Sequence, residues 1–178
     1  IIRKTIDENR FYLVYQPIIS LKGNSGERYE VLLRVVDEAG HVILPGQFLS
    51  IAEQTGLSGE IDRWIINRAF KQLAKMRADG REISFFIKLS GTSLTDSRLP
   101  DWINLRLQHY RLVSDGIIFE IPELIAASDL KNAIIFVRSM ERIHCKVALE
   151  HYGCSNQPQL LNNLPADFLK IDGSLINN

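Results

Sequence analysis

Two apolar segments, YLVYQPII at residues 12–19 and YEVLLRVV at residues 29–36, decide how the fold begins. Both are rich in β-branched and aromatic residues and are bounded by turn-forming residues, which is typical of buried strands. Residues 20–28, which include Gly23 and Gly26, join the two segments, and this linker is too short to hold a crossover helix. We therefore predict that the first two strands are antiparallel.

Further along the chain, short apolar segments alternate with helical patterns. Four more strands are predicted, at residues 83–89, 117–121, 146–150 and 168–171. The predicted helix signals are an N-cap at Ser58, a stop at Gly80, a first-turn Pro100, a cap at Ser128 or Asp129, and a short segment at residues 157–163. Such alternation indicates βα units of a parallel sheet.

Two α/β fold classes fit this order of elements. One is an open α/β sheet, and the other is a (β/α)8 barrel that lacks its last quarter, because such barrels typically run to ~250 residues. Residues 172–178 follow the last strand without a covering helix, and residues 1–9 resemble a helix entered partway. We favour the barrel, as a single domain over residues 1–178 excised from a longer multidomain protein.

Composition limits the function classes. The 21 Lys and Arg balance the 21 Asp and Glu, and this zero net charge argues against a broad DNA-binding surface. No apolar run is long enough for a membrane span, and no signal segment is visible. Cys145 and Cys154 lack metal-site spacing, so we expect reduced thiols in a cytoplasmic protein.

Polar residues occur at the ends of the predicted strands, where parallel α/β folds place their functional groups. They are Gln16, Glu30, Arg34, Lys88, Glu120, Glu150, His151 and Lys170. A buried carboxylate needs a partner, and several carboxylates from different strands would ordinarily predict a divalent metal site. The alternative for each of them is a solvent-facing residue at the rim.

The joint arrangement of these segments resembles the EAL domain family, which is named for a Glu-Ala-Leu-x-Arg motif. The matching segments follow the family order along nearly the whole chain. They are YQPI (15–18), EVLLR (30–34), PGQF (45–48), AEQTGL (52–57), IDRW (61–64), IKLS (87–90), FEIPE (119–123), ALEHYG (148–153) and LPADFLKID (164–172).

The resemblance implies a (β/α)8 barrel with an antiparallel first strand pair and a rim that binds cyclic di-GMP. Active members of the family hydrolyse this dinucleotide with two Mg²⁺ or Mn²⁺ ions that activate water and clamp the phosphate. In the family, the metal ligands include the signature Glu, an Asn, a later Glu and an Asp-Asp pair, and a Lys assists at the nucleophile.

The chain departs from the active pattern at the metal ligands. Glu30, Glu120, Glu123 and Lys170 stand where the family has them, Lys88 replaces the Asn, and Glu150-His151 replace Asp-Asp. A charged lysine offers donors and no acceptor, so it is not a usual metal ligand. At 4 Å its charge opposes a dication by about 8 kcal/mol at an effective dielectric near 20. We therefore predict no metal, and a catalytic site that survives only as these remnants.

Loss of hydrolysis does not imply loss of binding. The resemblance assigns nucleotide contacts to Gln16, Leu32, Arg34 and Asp62. The forked, permanently charged guanidinium of Arg34 suits a phosphate, although a structural ion pair is the alternative. Asp62 could instead be a charge at the start of a helix.

These features look most like the degenerate EAL domains of FimX-type regulators. The resemblance implies a catalytically inactive cyclic di-GMP sensor without other cofactors, a PilZ-domain protein as partner, and a role in type IV pilus and twitching motility control. Dimerisation is compatible with the family, and Lys88 is expected to hold the carboxylates in place of a metal. Two alternatives remain: an active phosphodiesterase with a rebuilt Mg²⁺ or Mn²⁺ site, and a scaffold that no longer binds the nucleotide.

Overall fold

The structure is a computed structural model that describes residues 10–23, 26–43, 45–155 and 159–176. Its strands are β1 (Phe11–Pro17), β2 (Glu27–Val36), β3 (Val42–Ile43), β4 (Ile83–Lys88), β5 (Ile117–Pro122), β6 (Lys146–Tyr152) and β7 (Phe168–Ile171). Its helices are α1 (Pro45–Gln54), α2 (Ser58–Ala78), α3 (Gly91–Thr95), α4 (Leu99–Tyr110), α5 (Glu123–Ser128), α6 (Leu130–Arg142) and α7 (Leu160–Asn163), followed by a 3₁₀ turn at Gly173–Leu175. The predicted helix at residues 1–9 and the start of the segment at residues 157–163 lie outside the described residues.

The strands form one mixed sheet in the order β1-β2-β4-β5-β6-β7, with β3 paired to the end of β2. The pairing of β1 with β2 is antiparallel, which confirms the prediction for the start of the chain. From β2 through β7 the neighbours on this path are parallel. Among the described strands β1 and β7 are the two edges, so the sheet is open, and its parallel strands all end at the same edge.

The helices cover one face of the sheet. Strand residues such as Val31, Ile87, Phe119 and Leu149 alternate toward this face and pack in the main hydrophobic core. Helix α2 contributes an apolar stripe to this core, and its residues Ile61, Ile66, Ala69, Phe70 and Leu73 are fully buried. Along each strand, every second side chain points into this core. The side chains between them lie on the opposite face of the sheet.

The other face of the sheet holds a smaller apolar cluster. Phe86, Ile118 and Ala148 form it, with Ile18 and Phe168 packed against it. Each of the strand residues lies two positions before a charged residue of its own strand, so this cluster is the floor of the charged site described below.

Most of the helix signals in the sequence are confirmed. Gly80 adopts a φ of +80° two residues after the last residue of α2, and Pro100 lies in the first turn of α4. The Asp129 side chain accepts a hydrogen bond from the Asn132 amide and caps α6. The prediction for Ser58 is wrong by one position, because Leu57 is the N-cap and the buried Ser58 hydroxyl makes no capping bond.

None of the helices in the described part of the chain combines the length and the apolar character that crossing a bilayer would require. Both cysteines are free thiols, with Cys145 buried and Cys154 exposed.

Candidate cyclic dinucleotide site

Charged side chains from five parallel strands meet at the carboxyl edge of the sheet, above the small apolar cluster. They are Glu30 on β2, Lys88 on β4, Glu120 on β5 and Glu150 on β6, and Lys170 on β7 joins them. Strand alternation places them on one face, because Lys88, Glu120, Glu150 and Lys170 each follow a residue of the floor by two positions. The predicted convergence of these residues is therefore what the structure shows.

Lys88 lies between two carboxylates. Its ammonium is 2.9 Å from Glu150 Oε2 and 3.1 Å from Glu30 Oε1. Burial lowers the pKa of Lys88, but the hydrogen bond and the charge of Glu150, followed by those of Glu30, outweigh it and raise that pKa above its usual range. Lys88 thus remains a fixed positive charge.

Lys170 forms the second half of the network. Its ammonium is 3.0 Å from Glu30 Oε2 and 2.7 Å from Glu120 Oε1, so Glu30 is shared by both lysines. Burial raises the pKa of Glu30, yet the hydrogen bonds from Lys170 and Lys88 bring it below its ordinary value. The five side chains therefore form one alternating chain of charges, from Glu150 through Lys88, Glu30 and Lys170 to Glu120.

Glu120 is the most deeply buried member of this chain of charges and is fully inaccessible to solvent. The Lys170 contact lies outside hydrogen-bond geometry, and neither Glu120 oxygen has a hydrogen-bond partner among the described residues. Burial raises the pKa of Glu120, and the nearby Lys170 only partly opposes this. Glu120 is thus the least well compensated carboxylate of the site.

The arrangement does not fit a divalent ion between Glu30 and Glu150. Two ammonium groups already neutralise two of the three carboxylates, and a dication placed there would have to displace Lys88 from both of its partners. Over the described ranges, no three His, Cys, Asp or Glu side chains are grouped as a metal site would need.

Glu123 and His151 organise the loop that follows β6. The buried Glu123 accepts hydrogen bonds through Oε2 from the backbone amides of Gly153, at 3.0 Å, and Ser155, at 2.7 Å. His151, in a left-handed conformation with a φ of 54°, places Nδ1 2.9 Å from Asp172 Oδ2. Glu123 and His151 therefore both hold the loop beside Glu150 in place.

Asp172 was not predicted as a site residue. Its carboxylate contacts His151 and accepts a hydrogen bond from the Ser174 amide. The bonds from Ser174, followed by the one from His151, lower the pKa of Asp172 far below its usual value. A signal was present in the sequence, because Asp172 follows Lys170 by two residues just beyond β7 and so ends at the same rim.

Three of the predicted nucleotide-contact residues share the face of the charged site. Gln16 pairs with Glu30 across β1 and β2, and Leu32 and Arg34 follow Glu30 at every second residue. Gln16 is exposed, whereas Leu32 and Arg34 are half-buried, and the Arg34 Nη1 donates to the Leu33 carbonyl at 2.9 Å. The nucleotide contacts of these residues stay predictions.

Asp62 has a different environment. It is buried in α2, and its Oδ2 accepts hydrogen bonds from the Ser90 amide at 2.8 Å, the Ser90 hydroxyl at 2.7 Å and the Ser93 hydroxyl at 2.6 Å. Burial raises the pKa of Asp62, and these bonds oppose the rise. Asp62 therefore ties α2 to the start of α3, directly after β4, and its nucleotide contact also stays a prediction.

Comparison with known proteins identifies the family of the chain. A model of the EAL domain matches residues 1–178. The chain is 34% identical over 178 residues to the cyclic di-GMP phosphodiesterase PdeF of Escherichia coli K12, covering 99% of the chain and 24% of PdeF. It is 32% identical over 179 residues to the cyclic di-GMP phosphodiesterase PdeB of Shewanella oneidensis, covering 99% of the chain and 21% of PdeB. The chain thus spans about a quarter of these curated relatives.

Solved structures give the same relationship. A crystal structure of a FimX EAL domain superposes with a TM-score of 0.93 at 39% identity, covering 99% of this chain and 71% of that domain. The FimX EAL domain from Pseudomonas aeruginosa bound to c-di-GMP gives a TM-score of 0.93 at 37% identity, with 99% and 72% coverage. These similarities confirm the predicted fold class, and this chain belongs to the EAL domain family.

Proposed function

We propose that this domain binds cyclic di-GMP without hydrolysing it and passes the presence of the ligand on to a protein partner. The observation that carries the proposal is the position of Lys88, which contacts Glu30 and Glu150 at 3.1 and 2.9 Å. In active members of the family, an Asn stands at the position of Lys88 and helps the carboxylates to hold divalent ions, whereas this chain supplies its own cation. The carboxylates are thereby held in place without metal, while hydrolysis loses the ions that would activate water.

Binding is supported by two features. Gln16, Leu32 and Arg34 remain on the face of the site, and the guanidinium of Arg34 suits a phosphate oxygen. The FimX EAL domains of Pseudomonas aeruginosa and Xanthomonas citri were both crystallised with the dinucleotide, and they are 37% and 30% identical to this chain.

Calorimetric titration with cyclic di-GMP in the presence of EDTA tests binding, using the protein that carries this domain. We expect saturable binding without metal and at least tenfold weaker binding by Arg34→Ala, because a charge-assisted bidentate contact is lost. Arg138→Ala, at an exposed position on α6, is the matched control and should leave the affinity unchanged. An absence of binding by the unaltered protein would favour the nucleotide-free scaffold.

Turnover assays with excess Mn²⁺ test the second part of the proposal. PdeF and PdeB carry the name phosphodiesterase, so an active enzyme with a rebuilt metal site is the competing function. We expect no linear dinucleotide above background, with PdeF as the positive control. Sustained production of linear dinucleotide would overturn the proposal.

Replacing Lys88 by Asn tests its role directly. Lys88→Asn removes the ammonium from Glu30 and Glu150 and restores the residue type of the metal-binding pattern, so Mn²⁺ binding should rise and the metal-free protein should lose stability. Unchanged stability together with unchanged nucleotide affinity would remove the assigned role of Lys88.

For the partner, we propose a PilZ-domain protein, and for the process, type IV pilus assembly and twitching motility. The support is the resemblance to FimX-type regulators, together with the 39% identity to a FimX EAL domain. Titration of a purified PilZ-domain protein from the same organism, with and without cyclic di-GMP, tests this. Binding that depends on the dinucleotide is expected, and no binding in either state would reject the partner.

A further inference from the structure

We propose that Tyr12 is the stacking platform for a guanine base of the ligand. This inference rests on the proposed binding of cyclic di-GMP and adds a contact to it. Strand β1 places alternate side chains in the main core. Phe11 is buried, with its ring centroid 5.8 Å from that of Phe48 and 5.5 Å from that of Trp64, and Tyr15 stacks on Phe85 at 5.1 Å.

Because side chains alternate along a strand, the residues between these core positions point to the opposite face. Tyr12, Val14 and Gln16 therefore share the face of the charged site. The register confirms this, since Tyr12 pairs with Arg34, Val14 with Leu32 and Gln16 with Glu30. Tyr12 thus stands at the rim end of the row that contains the proposed nucleotide contacts.

Tyr12 is the cross-strand neighbour of Arg34, and directly opposite residues of an antiparallel pair have Cβ atoms about 4.5–5.5 Å apart. A phosphate bound by Arg34 would bring the attached nucleoside within reach of the tyrosine ring. Tyr12 is 38% exposed, although its neighbour Phe11 is only 2% exposed.

Among the described residues, Tyr12 makes no contact that would assign it a structural role. Its hydroxyl forms no hydrogen bond there, and its ring is absent from the aromatic pairs that fix Phe11 and Tyr15. An exposed aromatic face next to a guanidinium is the combination that binds a nucleotide by stacking and by phosphate contact.

Calorimetry on two variants of the protein that carries this domain tests the proposal, with cyclic di-GMP as the probe. Tyr12→Ala should weaken binding about tenfold, since stacking on an aromatic side chain contributes that much or more. Tyr12→Phe should stay within about threefold of the unaltered protein, because the ring and not the hydroxyl makes the contact. Equal affinities of Tyr12→Ala and the unaltered protein would overturn the proposal.

Fluorescence supplies a readout that a merely structural role would not change. A guanine stacked on an indole quenches its emission, so Tyr12→Trp should lose fluorescence on titration with cyclic di-GMP. The unaltered protein, whose Trp64 and Trp102 pack against the main core on the other face of the sheet, gives the background. Binding by Tyr12→Trp without quenching beyond this background would also overturn the proposal, even if Tyr12→Ala failed to fold.

The same experiments separate this inference from the proposed function. If the unaltered protein does not bind cyclic di-GMP, the proposed function fails. If it binds and Arg34→Ala weakens binding while Tyr12→Ala does not, only the stacking role fails.

Discussion

The Lys88 ammonium on β4 lies 2.9 Å from Glu150 Oε2 on β6, and the ion pair therefore passes over β5, the strand between them. Because Lys88 also contacts Glu30 on β2, one cation connects three strands at the carboxyl edge of the sheet. The side chain of Glu150 is only 8% exposed, and a carboxylate buried to this degree is costly without such a partner.

Lys88→Met should destabilise the protein by about 1–3 kcal/mol, because Glu150 is left buried without its cation. The effect is smaller than for a fully buried pair, since the Lys88 side chain is 41% exposed. Urea unfolding measures the change. The double variant Lys88→Met/Glu150→Gln should recover part of the loss, and strictly additive effects of the two changes would contradict the coupling.

Glu123→Gln should loosen the loop that follows β6. The charged Oε2 accepts from the amides of Gly153 and Ser155, and hydrogen bonds to a charged group contribute more than those to a neutral one. We expect a loss of about 1–3 kcal/mol in stability and faster hydrogen exchange at these two amides. Glu141→Gln, at an exposed position on α6, is the control. Unchanged exchange at Gly153 and Ser155 would contradict the role of Glu123.

The sequence predicted the sheet well, because its strands are apolar runs whose period and turn residues are local signals. The antiparallel start followed from the length of residues 20–28 alone. The short helices α1, α3 and α5 were not predicted, because five to ten residues carry too little periodicity to be recognised. The convergence of Glu30, Lys88, Glu120 and Lys170 was predicted from strand ends and from the family resemblance.

The partners within the site could not be predicted from the sequence. Which carboxylate Lys88 would contact depends on strand order and side-chain reach, and the sharing of Glu30 by two lysines appears only in three dimensions. The bonds from Ser90 and Ser93 to Asp62 join segments about thirty residues apart, and no local pattern marks them. Sequence reasoning therefore identified which residues are charged and where they lie, but not how they pair.

Arg77→Met should destabilise the opposite edge of the sheet. Arg77 Nε and Nη2 donate to the Ile83 carbonyl at 3.2 and 2.8 Å, Nη1 donates to the Val113 carbonyl at 2.6 Å, and Nη2 also donates to the Asp115 carbonyl at 2.5 Å. One side chain thus joins the end of α2 to β4 and to the loop before β5. We expect a loss of about 2–4 kcal/mol, because charged hydrogen bonds to backbone carbonyls are removed.

Thermal and urea unfolding measure the effect of Arg77→Met. Arg138→Met, which removes an exposed arginine from α6, is the matched control and should stay within about 0.5 kcal/mol of the unaltered protein. Equal losses for the two variants would show that the carbonyl contacts of Arg77 contribute nothing specific.

Glu27 should make stability depend on pH in the acid range. Its carboxylate accepts from Arg81 Nε at 2.9 Å and Nη2 at 2.6 Å, and from the Tyr29 hydroxyl at 2.6 Å. The hydrogen bonds from Arg81, followed by that from Tyr29, lower the pKa of Glu27 to about 2. Its stabilising contribution is therefore complete above the ordinary pKa of 4.5 and is lost as the pH falls from there toward 2, because the unfolded chain takes up the proton first.

Denaturant unfolding of the unaltered protein and of Glu27→Gln between pH 2 and pH 6 measures this contribution. The difference in unfolding free energy should be largest above pH 4.5 and should shrink toward pH 2, and high salt should reduce it because Glu27 and Arg81 are both 40% exposed. Glu53→Gln, at an exposed position on α1, controls for the loss of one surface charge. A difference that stays constant across this range would mean that the Arg81 contact does not hold the Glu27 carboxylate in its ionised form.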